Sequence, residues 1–281
     1  PRAHASDPDR KSWARRLLGD DLARARTPAG QPGNALPESH PAPVPGPAGR
    51  VVYAIGDVHG RADLLIRLHR MILSDAALRG RREAVAVHLG DYVDRGLDSR
   101  AVLDRLIGDP LPGLLKVYLC GNHDAWMRAF LADAEAGRGW LANGGRETLY
   151  SYGVQAWGSD PSLRELRRLR RDLLAVLPAD HLRFLQGLRL TWSEADYLFV
   201  HAGVRPGVPL DRQDPADLTS IRRPFLTSRE RFEGALAVHG HTVVNAPQVH
   251  ANRIAVDTGA YATGRLTALV IDGAEIAFLQ T

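Results

Sequence analysis

The sequence holds a single cysteine, Cys120, so no disulfide can form within the chain and nothing suggests a secreted, stapled fold. No apolar run is long enough to span a membrane, and the first residues lack the apolar core of a secretory signal, so a cytoplasmic protein is expected. Lysine is confined to Lys11 and Lys116, and arginine supplies almost all the cations behind a formal charge of +4. The basic residues form no stripe interleaved with aromatics, which argues against nucleic acid; they read as an arginine bias spread over a solvated surface, with attraction of phosphate-bearing substrates as the alternative. With 281 residues and 44% apolar content, the chain can bury a full core.

Residues 27–49 read TPAGQPGNALPESHPAPVPGPAG, too rich in Pro, Gly and Ala to repay the entropy of ordering. Residues 1–49 are therefore expected to be a flexible, Pro-rich basic tail, and residues 50–281 the folded domain. Within that tail Ser12 to Ala25 places Trp13, Leu17, Leu18 and Leu22 partly on one helical face, interrupted by Gly19. It reads as an unstructured tail, with docking to an unknown partner or a membrane surface as the alternative.

From Arg50 the pattern becomes regular. VVYAIGD, AVAVHLGD and LLKVYLCGN are short apolar runs that each end at glycine, the mark of buried strands. Helical spacing over Arg61 to Ala77 and Ser99 to Ile107 separates them, so the order strand, helix, strand, helix, strand predicts a parallel core sheet. Residues 124–187 read as mostly helical. LRLTWS, DYLFVHAG, GALAVHGH, NRIAVDTG, RLTALVID and AEIAFLQ then return to strands, expected to form a second sheet packed on the first. The fold class is α/β, α+β by some schemes: a β-sandwich flanked by helices. His88 reads as a core histidine, and His69, His181 and His250 as surface or helix residues.

Five motifs lie on this frame: GDVHG at 56–60, GDYVDRG at 90–96, GNHD at 121–124, HAG at 201–203 and GHT at 240–242. A lone Asp or His could be packing, but six oxygen and nitrogen ligands at glycine-marked strand ends describe a site for two divalent cations. Asp57 and His59, two apart on an extended segment, can turn to one cation; Asn122, His201 and His241 suit a second; Asp91 is the expected bridge. Such a pair of cations activates water for attack on a phosphoester. A cysteine nucleophile would instead need an arginine at the position Trp126 occupies, so Cys120 reads as a small buried residue. An alkoxide leaves poorly without a proton, and His123, beside Asn122, can supply it while Asp94 orients the imidazole. Arg95 is placed to bind phosphate oxygens in a bidentate contact that lysine could not reproduce.

These motifs resemble the metallophosphoesterases of the PPP (calcineurin-like) type, in particular the bacterial serine/threonine protein phosphatase-like branch, from Val51 to about Gln280. The resemblance implies Asp57, His59 and Asp91 on one metal, and Asp91, Asn122, His201 and His241 on the other. It also implies His123 as acid with Asp94, Arg95 with Arg222 on phosphate, and Tyr261 near the site. Arg222 lies in LTSIRRPFL, similar to the branch's WIRxPFL stretch, with Ser220 where tryptophan is usual. GNHD departs from the usual GNHE, so a shorter or missing contact from Asp124 is expected. WLANGGRETL, 140–149, is expected at the rim of the cleft. The implied function is hydrolysis of phosphoserine, phosphothreonine or phosphotyrosine in proteins, or of a small phosphoester, with two cations of manganese, iron or zinc as cofactors. A dinucleoside polyphosphate hydrolase and a metal-binding scaffold are the alternatives. The intact Asp94 and Arg95 favour the first reading.

Overall fold

The computed structural model describes residues 36–80 and 83–281. The tail segment at Ser12 to Ala25 lies outside the described residues.

β2 (Arg50–Ile55), β3 (Glu83–His88) and β4 (Leu115–Tyr118) are parallel neighbours, joined through α1 (Ala62–Leu78) and α2 (Ser99–Ile107). Their side chains alternate with the strand period of two. Val52 and Ala54 point to one face, and Val51, Tyr53 and Ile55 to the other. Both faces are covered, so the strands are apolar throughout instead of alternating with polar residues. One face packs on α1, α2 and the helices of the middle segment. The other meets a second sheet, where Tyr197 and Phe199 of β6 (Tyr197–Val200), Leu236 and Val238 of β7 (Leu236–His239) and Ile254 of β9 (Arg253–Ala255) interleave with Val85, Val87 and Val117. The result is the helix-flanked sandwich the sequence predicts.

The division of strands differs in one respect. Only β5 (Thr191–Glu194), β6, β7, β8 (Gln248–Val249) and β9 form the second sheet. β10 (Thr267–Asp272) pairs antiparallel with β2, and β11 (Glu275–Gln280) follows it in the first sheet. Strand pattern reports pairing capacity, not the partner, and these last two strands supply the edge that β2 would otherwise expose.

The expected start of the folded domain is also corrected. β1 (Ser39–Pro41) pairs antiparallel with β11, Val44 is buried between the sheets, and the Tyr197 hydroxyl donates to its carbonyl at 2.8 Å. Proline is tolerated on this edge strand, where one side of the backbone has no partner to serve, so a Pro-rich stretch need not be unstructured.

The middle segment holds α3 (Asn122–Ala132), α4 (Gly137–Trp140), α5 (Arg146–Ser151), α6 (Leu163–Val176) and α7 (Ala179–Gln186). His88 is buried as read. His69 and His181 stand on helices, but their rings are buried: His69 Nε2 meets His88 Nε2 at 3.1 Å, and His181 joins Tyr152 and Asp104. On a helix packed against the sheet, the face a histidine occupies decides its burial, and single residues do not declare that face.

Candidate metal centre

Each motif leaves the carboxyl end of a strand, where open α/β sheets build their sites. GDVHG follows β2, GDYVDRG follows β3, GNHD opens α3 after β4, HAG follows β6 and GHT follows β7. The loops are stitched together by backbone bonds. The amides of Val58 and His59 both donate to the Asp91 carbonyl, at 3.1 and 2.8 Å, and His241 N donates to the Asp57 carboxylate at 3.0 Å. Strain is concentrated here. His59, Asp91, Asp94, Arg95 and His241 all adopt positive φ, between 44° and 73°. Each such residue costs of order 1–3 kcal/mol and persists only where its surroundings impose it. Gly121 and Gly240 have a different reason to be glycine, since a Cβ at either would collide with the carboxylate of Asp91 or Asp57.

Asp91 stands at the centre. Its Oδ2 lies 3.4 Å from His59 Nε2 and 3.4 Å from His201 Nε2, while Oδ1 accepts from the His123 amide at 3.0 Å. The imidazoles are aimed from behind. His59 Nδ1 donates to the Val93 carbonyl at 2.9 Å and His201 Nδ1 to the Leu89 carbonyl at 2.8 Å, leaving both Nε2 atoms facing the cluster. Asn122 Oδ1 lies 3.2 Å from His201 Nε2. Among the described residues two groups offer atoms within 4.8 Å of one another: His59, Asp91 and His123, and Asp91, His201 and His241. Asp91 is common to both. His241 Nε2 is buried with no protein partner, which a bound cation would relieve, and the carboxylate and imidazole donors suit one.

The electrostatics are those of a crowded anionic centre. Burial and the nearby Asp257 push Asp57 well above the usual carboxylate range. Burial works against Asp91 too, but His201, His123 and His59 hold it well below that range. Against full burial, Asp91 and Asp57 raise His201 to about 10. His59 and His241 are both lowered to about 3, chiefly by burial. Arg222, exposed, is among the charges acting on His241.

Asp124 keeps its contacts, contrary to the expectation from its shorter side chain. As residue N3 of α3 it accepts from Gly121 N at 2.9 Å, Asp91 N at 2.8 Å and Tyr92 N at 3.0 Å. The helix start lies close enough to the Asp91 turn for aspartate to reach. His123 Nδ1 meets Asp94 Oδ2 at 2.8 Å, both buried. Arg95 lies with its guanidinium 4.8 Å from the Tyr261 ring centroid and Nη1 3.0 Å from His59 Nε2, and Tyr261 packs edge-on to His59. Beside Asn122 a groove of about 990 Å³ opens, lined by Trp126, Arg128, Leu182 and Leu190 among others.

A family model described as calcineurin-like phosphoesterase matches residues 50–254. The chain belongs to this family. Members are phosphoester hydrolases, and the chain carries the His and Asp groups able to hold their metals. Two curated relatives of this phosphoesterase are named serine/threonine-protein phosphatase 2. The one from Salmonella typhimurium is 25% identical over 231 residues, and the one from Escherichia coli 28% over 227; each alignment covers 78% of this chain and 91% of the relative. Among solved structures, a candidate diadenosine tetraphosphatase superposes with a TM-score of 0.53 at 23% identity, over 83% of this chain and 94% of that one, and shares the fold. No helix of the described residues is long and apolar enough to cross a membrane.

Sequence reasoning passed over three contributors. Asp257, buried beside Asp57, follows β9 in VDTG, the same strand-to-glycine signal that marked the other carboxylates. Trp140 and Thr148 both bond Asp94. Their segment was expected at the rim, and the structure buries its two bonding side chains.

Proposed function

We propose that the chain is a phosphomonoesterase acting on phosphorylated serine, threonine or tyrosine in proteins, with two divalent cations as cofactors. The buried contact of 2.8 Å between His123 Nδ1 and Asp94 Oδ2 carries this reading. A phosphoserine ester departs as an alkoxide, which needs a proton, whereas an anhydride expels a phosphate that leaves readily. A histidine fixed as a donor is worth most against the alkoxide. Ionised Asp94 can only accept, so it accepts the hydrogen bond from Nδ1–H and leaves the Nε2 proton to be delivered.

Asp57, His59 and Asp91 would hold one cation, and Asp91, Asn122, His201 and His241 the other; this mixed carboxylate, amide and imidazole set accepts manganese, our first choice, and iron or zinc as well. When bound, such cations bring a coordinated water toward neutral pKa and offset phosphoryl charge. Arg95 and Arg222 bind the phosphate oxygens from the open side. Tyr261 supports this by holding the Arg95 guanidinium against its ring. The groove beside Asn122 offers room for residues flanking the phosphorylated one, and the two phosphatase relatives favour a protein substrate.

The test is a parallel assay with Mn²⁺ of phosphoserine, phosphothreonine and phosphotyrosine peptides against diadenosine tetraphosphate. Turnover of a phosphopeptide, stopped by chelation, is expected. Turnover of the dinucleotide alone, or bound metal with no turnover, would overturn the proposal.

A further inference from the structure

Between α4 and α5 the helix widens into a π turn over Leu141–Gly145, with Asn143 at φ −110° and Gly144 at φ 104°. This turn presses on Asp94 and Arg95, two consecutive left-handed residues. Arg95 N donates to the Gly144 carbonyl at 3.2 Å, and a Cβ at Gly144 would stand 2.7 Å from Arg95 N. At one end of the turn the Trp140 indole Nε1 lies 3.0 and 2.9 Å from the two Asp94 oxygens. At the other, Thr148 Oγ1 donates to Asp94 Oδ1 at 2.7 Å. Gly145 allows this, since a Cβ there would sit 2.5 Å from the indole.

The protons around Asp94 can be assigned in one direction only. An indole N–H donates and never accepts, so Trp140 occupies carboxylate lone pairs. Thr148 spends its one proton on Oδ1 and accepts from Asp94 N at 2.8 Å, so Ser99, 2.9 Å away, donates to Thr148. The lone pairs left on Oδ2 face His123 Nδ1. Trp140 and Thr148 are buried beneath the turn and cannot touch a substrate. A carboxylate so held has one orientation, and the imidazole it orients has one as well.

We propose that residues 140–148 act as a positioning clamp, in which Trp140 and Thr148 fix Asp94 for His123 and Gly144 fixes the turn that aims Arg95. The proposal deepens the phosphomonoesterase reading and rests on it. Trp140 is a positioning residue, so its loss costs only what His123 supplies.

The test uses the full chain loaded with Mn²⁺, with phenyl phosphate, whose leaving group needs a proton, and 2,4-dinitrophenyl phosphate, whose leaving group does not. Trp140→Phe keeps the ring and removes the donor. Its kcat on phenyl phosphate should fall roughly ten-fold with KM nearly unchanged, and its kcat on the dinitrophenyl ester should hold. In a His123→Asn background the same change should cost nothing further on phenyl phosphate. Thr148→Val should behave as Trp140→Phe does, with Thr148→Ser restoring the rate, and this pair decides the matter if Trp140→Phe fails to fold. Equal slowing on both esters, or an undiminished ten-fold cost in the His123→Asn background, would overturn the clamp while leaving the acid in place. Full phenyl phosphate turnover by His123→Asn alone would overturn the underlying reading, and the clamp with it.

Discussion

Binding a cation at Asp91, His201 and His241 should expel a proton. His201 is fully buried, yet Asp91 and Asp57 raise its imidazole to about 10, so in protein stripped of metal it is charged at neutral pH. A cation can take Nε2 only after that proton has left. Below that value each cation bound there therefore releases about one proton, and apparent affinity climbs about ten-fold per pH unit, about 1.4 kcal/mol. From about pH 7 to pH 9 the gain is roughly a hundred-fold. Asp57, pushed up by burial and Asp257, would give up a proton of its own on binding the other cation at the acid end. The sign for stripped protein follows from the raised pKa. His201 contributes stability that is complete below its ordinary value of 6.5 and lost as pH rises through about 10. Calorimetric titration with Mn²⁺ in two buffers of different ionisation enthalpy reads the released protons directly. Affinity that stays flat between about pH 7 and 9, with no proton released, would refute the placing of His201 on the metal.

Chelation should lower Tm, because a cation that binds only the folded centre stabilises the folded state by mass action. A cation at a hundred times its Kd adds about 2.7 kcal/mol, or roughly 5–10 °C for a domain of this size, read by differential scanning calorimetry. Asp124→Ala should destabilise by about 3 kcal/mol or more, since it strands the buried amides of Gly121, Asp91 and Tyr92; a urea midpoint near wild type would contradict this. Gly240→Ala drives a methyl group into Asp57, so metal content measured by mass spectrometry should fall with the fold retained. Deleting residues 1–49 removes β1, the buried Val44 and the partner of the Tyr197 hydroxyl, and should lower Tm by several degrees; an unchanged Tm would show that these contacts contribute nothing.

Much of the site was legible because glycine-marked strand ends carry its chemistry. Asp57, Asp91 and Asn122 each follow an apolar run that could only be a buried strand, and the parallel order of three such runs forces their carboxyl ends together. His201 and His241 follow β6 and β7 in the same way. Less legible was whatever depends on pairing partners across long separations. The pattern of β10 and β11 was plain, but not that β10 adds to β2, more than two hundred residues earlier. β1 was hidden because Ser39, His40 and Pro41 carry no strand pattern, and edge pairing needs only a free neighbour. Trp140 and Thr148 were hidden for another reason. Their role arises where a π turn meets a left-handed pair of residues, and neither feature leaves a periodicity.

Asp91, common to both ligand groups, would be shared by the two cations. Electron paramagnetic resonance of the Mn²⁺-loaded protein tests this sharing most directly, because a shared ligand couples the two spins. Two manganese ions per chain are expected, with an exchange-coupled dinuclear spectrum that Asp91→Asn converts to isolated signals. Two ions per chain with only isolated six-line signals in the unaltered protein would contradict it.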